Sequence, residues 1–237
     1  MWSGPRNIST AMMRAWENRD DCHVVDEPFY ACYLHATGIR HPMYEAVLAS
    51  QPREWHAVIV ALTAPLPEGV AIQYQKHMTH HMVAGLDEDW LRTARHAFLI
   101  RDPIEMVASY ARKREAVGID DLGLPQQVQI YHRIADVTGT PPPVLESRDV
   151  LHDPATMLRR LCTALHVAFC DRMLSWPPGL RASDGVWAPH WYDAVAKSTG
   201  FGRFDAGPVV LPRELRDVAE ACRPYYEFFC ERKLQRA

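Results

Sequence analysis

Short apolar runs alternate with segments of helical periodicity through the first two-thirds of the chain. Met12, Met13 and Trp16 lie at helical spacing and predict a helix over roughly 8–19; Cys22-His-Val-Val-Asp26 follows as a short buried strand. Residues 43–63 are mixed and read as helical, although Val58-Ile-Val is β-prone. Val70-Ala-Ile-Gln-Tyr-Gln75 reads as a strand, and Leu86 to Arg95 as a helix with an acidic first turn. His96-Ala-Phe-Leu-Ile100 is the clearest strand, followed by a helix from Pro103 to about Ala116. A helix at 125–137 precedes the last strand candidate, Pro143-Val-Leu-Glu146, and helices at 154–166 and 212–235 close the chain. Strands interleaved with helices imply parallel pairing, hence an α/β domain with a three-layer parallel sheet flanked by helices. Ser175 to Pro212, rich in Pro, Gly and Trp, has little periodicity and reads as a long functional loop or a lid.

At 237 residues, with no internal repeat or low-complexity segment, the chain reads as a single domain, 1–237. It is 48% hydrophobic and 23% charged, with a net charge of -3. That balance offers no general attraction for nucleic acid or an acidic membrane, so any anion site is local. No apolar stretch reaches the ~18–20 residues that span a bilayer, and no signal peptide precedes the first motif. Six cysteines without CxxC spacing suit reduced thiols, and the expected compartment is the cytoplasm.

Two segments carry anion chemistry. In Gly4-Pro-Arg-Asn-Ile-Ser-Thr10, a turn with one cation leads into a helix. The unpaired N–H groups of a helix's first turn and its dipole favour an anion, and Arg6 adds a full charge. A capped helix with an incidental arginine would look the same. It is not a Walker A loop, since GxxxxGK[ST] is absent. In Phe98-Leu-Ile-Arg101-Asp-Pro103, a strand ends in an arginine and a helix carrying Ser109 begins. Parallel sheets bind ligands beyond the carboxyl ends of their strands, and a guanidinium can grip a phosphate bidentately. The plainer alternative is an Arg101 that salt-bridges Asp102 or Glu105.

Together these segments resemble the sulfotransferase family, enzymes that use 3'-phosphoadenosine 5'-phosphosulfate (PAPS). Residues 4–10 resemble the family's 5'-phosphosulfate loop. Arg101 with Ser109, eight positions later, resembles its 3'-phosphate motif. Ser147-Arg-Asp149 through Asp153-Pro154 resembles its acidic segment, with Arg148 in place of the expected Glu. The resemblance covers roughly residues 1–166 and implies a P-loop nucleoside triphosphate hydrolase-like fold of the sulfotransferase type. It implies that Arg6, Asn7, Ser9 and Thr10 hold the 5' end of the cofactor, and Arg101 and Ser109 its 3'-phosphate. Lys197-Ser198-Thr199-Gly200-Phe201-Gly-Arg203 would be the C-terminal cofactor loop, or else a mobile surface turn. Only Met1 and Trp2 precede Ser3, so either the first strand is shortened or upstream residues were lost when the start was assigned.

Sulfuryl transfer needs an in-line acceptor, charge stabilisation on the departing phosphate and a base. His77, after the strand 70–75, resembles the neighbourhood of the family's catalytic histidine; Glu27, after the second strand, is the other candidate, placed narrowly second. Lys76 is either the charge partner of the departing phosphate or a surface lysine. His77 and His81, four apart, would share a helical face, but no HExxH motif accompanies them and no metal is expected; His80 and His81 are otherwise a helix cap or pocket rim. The expected partner is a small-molecule acceptor with a hydroxyl or amine, with a homo-oligomer left open. A P-loop-type small-molecule kinase and a non-catalytic phosphonucleotide-binding relative are the alternatives. Trp176, Trp187, Trp191 and Tyr192 form either an acceptor lid or a segment packed on the core.

Overall fold

The computed structural model describes residues 1–83, 87–114, 116–204, 207 and 209–236. Its centre is a five-stranded sheet made of β1 (Trp2–Ser3), β2 (Cys22–Asp26), β3 (Ile72–Met78), β4 (Phe98–Ile100) and β5 (Val144–Glu146) in the order β2-β3-β1-β4-β5. Every pairing is parallel, as the alternation of strands and helices requires. β1 has only two residues but pairs on both sides, Trp2 opposite His77 and Phe98, Ser3 opposite Met78 and Leu99. So short a ladder is reinforced by a side chain: the buried Gln127 amide donates to the carbonyls of Trp2 (3.2 Å) and Leu99 (3.1 Å).

Apolar side chains cover both faces. One cluster joins Met12, Met13 and Trp16 to Tyr74, Leu99, Leu158, Trp176 and Trp187; the other joins Trp2, Phe98, Trp90, Tyr131 and Phe229. The helices after β4 and β5 start by the same local chemistry. Asp102 accepts from Ile104 N ahead of Pro103–Tyr110, and Asp153 accepts from Thr156 N ahead of Pro154–Ala164. In each, proline takes the first helical position, where its missing N–H costs nothing.

Several boundaries differ from the sequence expectation. β3 runs to Met78 rather than ending at Gln75, so Lys76 and His77 lie inside a strand and point to opposite faces. The β-prone Val58-Ile-Val is helical within Trp55–Leu62, where only one face is buried. The helix expected over 86–95 is Glu88–Arg92, capped by Asp87; Leu86 lies outside the described residues. The helix from Pro103 ends at Tyr110, and the final helix is Arg213–Cys230. The aperiodic stretch is neither a bare loop nor only a lid. Ser175 bridges Gly200 antiparallel, two one-turn helices occupy Ala188–Trp191 and Asp193–Ala196, and Trp176, Trp187 and Tyr192 are buried. The six cysteines are free, and among the described residues no helix is long and apolar enough to cross a membrane.

Gly4 follows β1 where a Cβ would stand 2.5 Å from the Leu122 carbonyl oxygen. Gly4→Ala therefore forces backbone apart; the expected loss is ~1–3 kcal/mol, read as a lowered Tm or urea midpoint.

Candidate active site

The carboxyl ends of β1 to β4, with Leu151 from the helix after β5, meet one cleft of about 390 Å³. Residues Pro5–Ala11 line one end, with Arg101 and Ser109 beside them. The chain reaches this end under strain: Arg6 (φ 62°), the β-branched Ile8 (φ 56°) and Glu27 (φ 41°) are left-handed non-glycine residues, and all three line the cleft. Such conformations persist only where surrounding contacts impose them, and they concentrate at functional sites. Here the contacts come from Asn7, whose buried amide donates to Leu99 O (3.2 Å) and whose carbonyl accepts from Ser147 Oγ (3.0 Å). Asn7 lines the cleft; its side-chain NH₂ holds the loop to β4, while its buried Oδ1 has no hydrogen-bond partner among the described residues.

No side chain caps the helix Ser9–Glu17, so its first-turn N–H groups lack an intrahelical or side-chain partner. The Ser9 and Thr10 hydroxyls make no hydrogen bond with the described residues. Arg6 Nε donates to Ser109 Oγ (3.0 Å), and Arg101 NH1 donates to Arg6 O (2.7 Å) while its Nε pairs with Glu105 (3.0 Å). Arg101 makes the salt bridge to Glu105 that the plainer alternative expected, and it also borders the cleft. Burial, then the charges of Arg101 and Arg112, push the Arg6 guanidinium below its ordinary value, with Asp193 opposing them. Crowded cations beside an uncapped helix end are a site for an anion.

A second group lies at the ends of β2 and β3. Lys76, 1% exposed, donates to Asp26 Oδ1 (2.9 Å), Glu27 Oε1 (2.6 Å) and the Tyr192 hydroxyl (2.7 Å). It is not a surface lysine, and its three N–H bonds are all engaged. Burial opposes its charge, but the two carboxylates outweigh burial and raise its pKa. Burial raises the Glu27 pKa; Lys76 opposes and Asp26 reinforces that rise. Glu27 Oε2 makes no hydrogen bond with the described residues, which leaves one carboxylate oxygen for a ligand.

His77 is not brought to the cleft. Alternation in β3 turns it to the opposite face, stacked on Trp2 (ring centroids 4.5 Å apart), near Phe29 and Trp90. Burial holds its pKa far below the ordinary value. His80 and His81 do line the cleft, together with His41, which nothing in its local sequence singles out. Burial lowers His41 to about 4 and His80 to about 3, so both are neutral. The paired metal reading of His77 and His81 is thereby separated, and among the described residues no group of three or more His, Cys, Asp or Glu is arranged to hold a metal ion. At the far end, Ser198 and Gly200 border the cleft, but Thr199 does not; its carbonyl accepts from Trp176 N (3.0 Å). The Ser198 hydroxyl is already shared between Val195 O (2.7 Å) and Trp176 Nε1 (3.0 Å). Arg203, exposed, also lines this end.

The sequence pattern of the family described as "Sulfotransferase domain" matches residues 1–233. The chain belongs to the sulfotransferase-domain family. Two Arabidopsis thaliana proteins named "Branched-chain-amino-acid aminotransferase-like protein 2" and "1" are 33% and 35% identical to this sulfotransferase domain over 225 residues, 95% of the chain. The chain spans 40% of the length of each. The fold is similar to that of a crystal structure of a sulfotransferase from Alicyclobacillus acidocaldarius (TM-score 0.55, 13% identity, 98% of this chain and 96% of that one).

Replacing Lys76 tests the buried group of this sulfotransferase domain. Lys76→Met strands two carboxylates, and the expected loss is ~3–5 kcal/mol. Without the ammonium the Glu27 pKa rises further above its unfolded value, so the deficit relative to wild type is largest at pH 8 and shrinks toward pH 5 as Glu27 binds a proton. Urea denaturation at the two pH values measures it.

Proposed function

We propose that the domain transfers a sulfuryl group from PAPS to a hydroxyl or amine of a small-molecule acceptor, with Glu27 as general base. The observation carrying this reading is that one cleft joins an uncapped, arginine-flanked helix end to a buried carboxylate with a free oxygen. The donor set fits a bis-phosphorylated nucleotide: the 5–11 loop with Arg6 at its 5' end, Arg101 and Ser109 at its 3'-phosphate, and Ser198, Gly200 and Arg203 bordering it. Thr199 faces away, and Asn7 acts by holding the loop. When bound, PAPS supplies an activated sulfuryl group whose bond to the phosphate oxygen breaks as the bond to the acceptor oxygen or nitrogen forms.

The chain's residues do the rest. Arg6 and the first-turn amides hold the negative charge that grows on the departing phosphate. Glu27 Oε2 accepts the acceptor's proton. Its raised pKa makes it a stronger base than an ordinary carboxylate, with Lys76 fixing the other oxygen. Lys76, fully engaged, steadies the base rather than the departing phosphate.

PAP at ~100 times its dissociation constant should add ~2.7 kcal/mol, a Tm rise of roughly 5–10 °C for a chain of this length. ATP with Mg²⁺ should not match it; no shift with PAP would sink this reading, and a larger one with ATP and Mg²⁺ would favour a kinase. Arg101→Ala should abolish most of the PAP shift while leaving the unliganded Tm close to wild type. Glu27→Gln should lower PAP release from PAPS by ~10²–10⁴-fold across a panel of phenols, alcohols and amines, with PAP affinity retained. His77→Asn should keep turnover at a substantial fraction of wild type; a loss equal to that of Glu27→Gln would return the base to His77.

A further inference from the structure

Glu27 is one of three charged groups enclosed together. The Lys76 ammonium sits between Asp26 and Glu27, and the residue pairing Asp26 opposite Lys76 in the ladder fixes that arrangement through the backbone. Two carboxylates and one ammonium leave the group a net negative charge away from water. Asp26 is the better satisfied partner. Its Oδ1 accepts from Lys76, and its Oδ2 accepts from Gly185 N (3.1 Å) and from the Tyr192 hydroxyl (2.6 Å). Tyr192 is held in turn by Trp187 Nε1 (3.1 Å). Glu27 has only Lys76 at close range, with the Tyr192 hydroxyl at 3.5 Å. Where a proton is added to this group, the carboxylate with fewer donors takes it.

From this asymmetry we propose that Asp26 and Tyr192 are positioning residues that set the base: Asp26 draws part of the lysine's charge away from Glu27 and so keeps Glu27 proton-accepting, while Tyr192, bonded to both Lys76 and Asp26, holds the two in the arrangement that does so. The inference rests on Glu27 as the base of the proposed reaction. The other titratable groups facing Glu27 are Tyr30 and Tyr110, both kept neutral because burial raises their pKa values. His41, His80 and His81 across the cleft are neutral as well. The charge that Glu27 feels therefore comes from Asp26 and Lys76, and the two can be altered separately.

The two positioning residues act with the same sign and different strength. Asp26→Asn removes a negative charge and leaves Lys76 wholly to Glu27, so Glu27 should release its proton more easily. Tyr192→Phe removes the hydroxyl that accepts from Lys76 and gives its one hydrogen to Asp26 Oδ2; both carboxylate charges stay, the ammonium turns toward Glu27, and the change has the same sign and a smaller size. The titration of Glu27 in the full chain without ligand, followed by carbon NMR of the glutamate carboxyls and assigned by the resonance lost in Glu27→Gln, reads both. The expected wild-type midpoint lies above the ordinary ~4.3 of glutamate. It should fall by about one pH unit or more in Asp26→Asn and by less in Tyr192→Phe. A wild-type midpoint at the ordinary value, a rise in either variant, or no change in either overturns the proposal. Should Asp26→Asn fail to fold, the fall in Tyr192→Phe decides alone. PAP binding by the same variants is a separate readout, expected unchanged: loss of the PAP shift in the wild type with the graded falls in the two variants intact would refute the sulfuryl-transfer reading and leave the coupling of the three groups standing.

Discussion

The burial of the Lys76 ammonium constrains the rest of the site. A charge taken out of water has to be answered at hydrogen-bond distance, and the answer recruits the ends of two strands and a residue more than a hundred positions away. Asp26 and Glu27 are held to the strand edge, Tyr192 is brought down onto them, and Trp187 and Gly185 come with it to satisfy the hydroxyl and the second carboxylate oxygen. The irregular stretch after residue 175 thus has a defined path over the cleft for an electrostatic reason. Its indoles then make it part of the core.

That stretch also shows why two kinds of role were hard to separate in the sequence. Trp176 and Trp187 fill the interior, whereas Trp191 and Tyr192 border the cleft, and Arg6 NH1 reaches the Trp191 carbonyl (3.4 Å). One continuous segment is floor and wall at once. Side-chain type could not distinguish them, because an indole serves packing and pocket equally well.

Much of the fold was legible because it is local. Alternating apolar runs give the strands, and the two Asp-Pro steps give helix starts by capping chemistry that depends only on neighbouring residues. The meeting of Arg6, Arg101 and Ser109 was legible for the same reason: they carry charge or hydroxyls at element ends, and the structure brings them together. The other end of the cleft was less so. A strand end misplaced by three residues exchanges inside for outside, and this turned His77 from a candidate base into a core side chain stacked on Trp2. Lys76 as a fully enclosed ion could not be foreseen, since its partners are set by the β2–β3 register and by the distant Tyr192. His41 enters the cleft through the path of the chain after its helix, with no motif to announce it.

The two-residue β1 carries a mechanical consequence. A strand that short cannot anchor the turn that follows it by backbone pairing alone, so the turn's position depends on amide side chains, Gln127 on the Trp2 carbonyl and both Gln127 and Asn7 on that of Leu99. Gln127 belongs to the helix Leu124–Thr138, which begins at Gly123, close against Thr79 and His80 on the cleft's other wall. The arginine-bearing turn and the histidine wall are thereby keyed to one helix. The spacing between the place where a donor would lie and the place where an acceptor would lie is a property of that helix's seating, set from behind the sheet rather than from within the cleft.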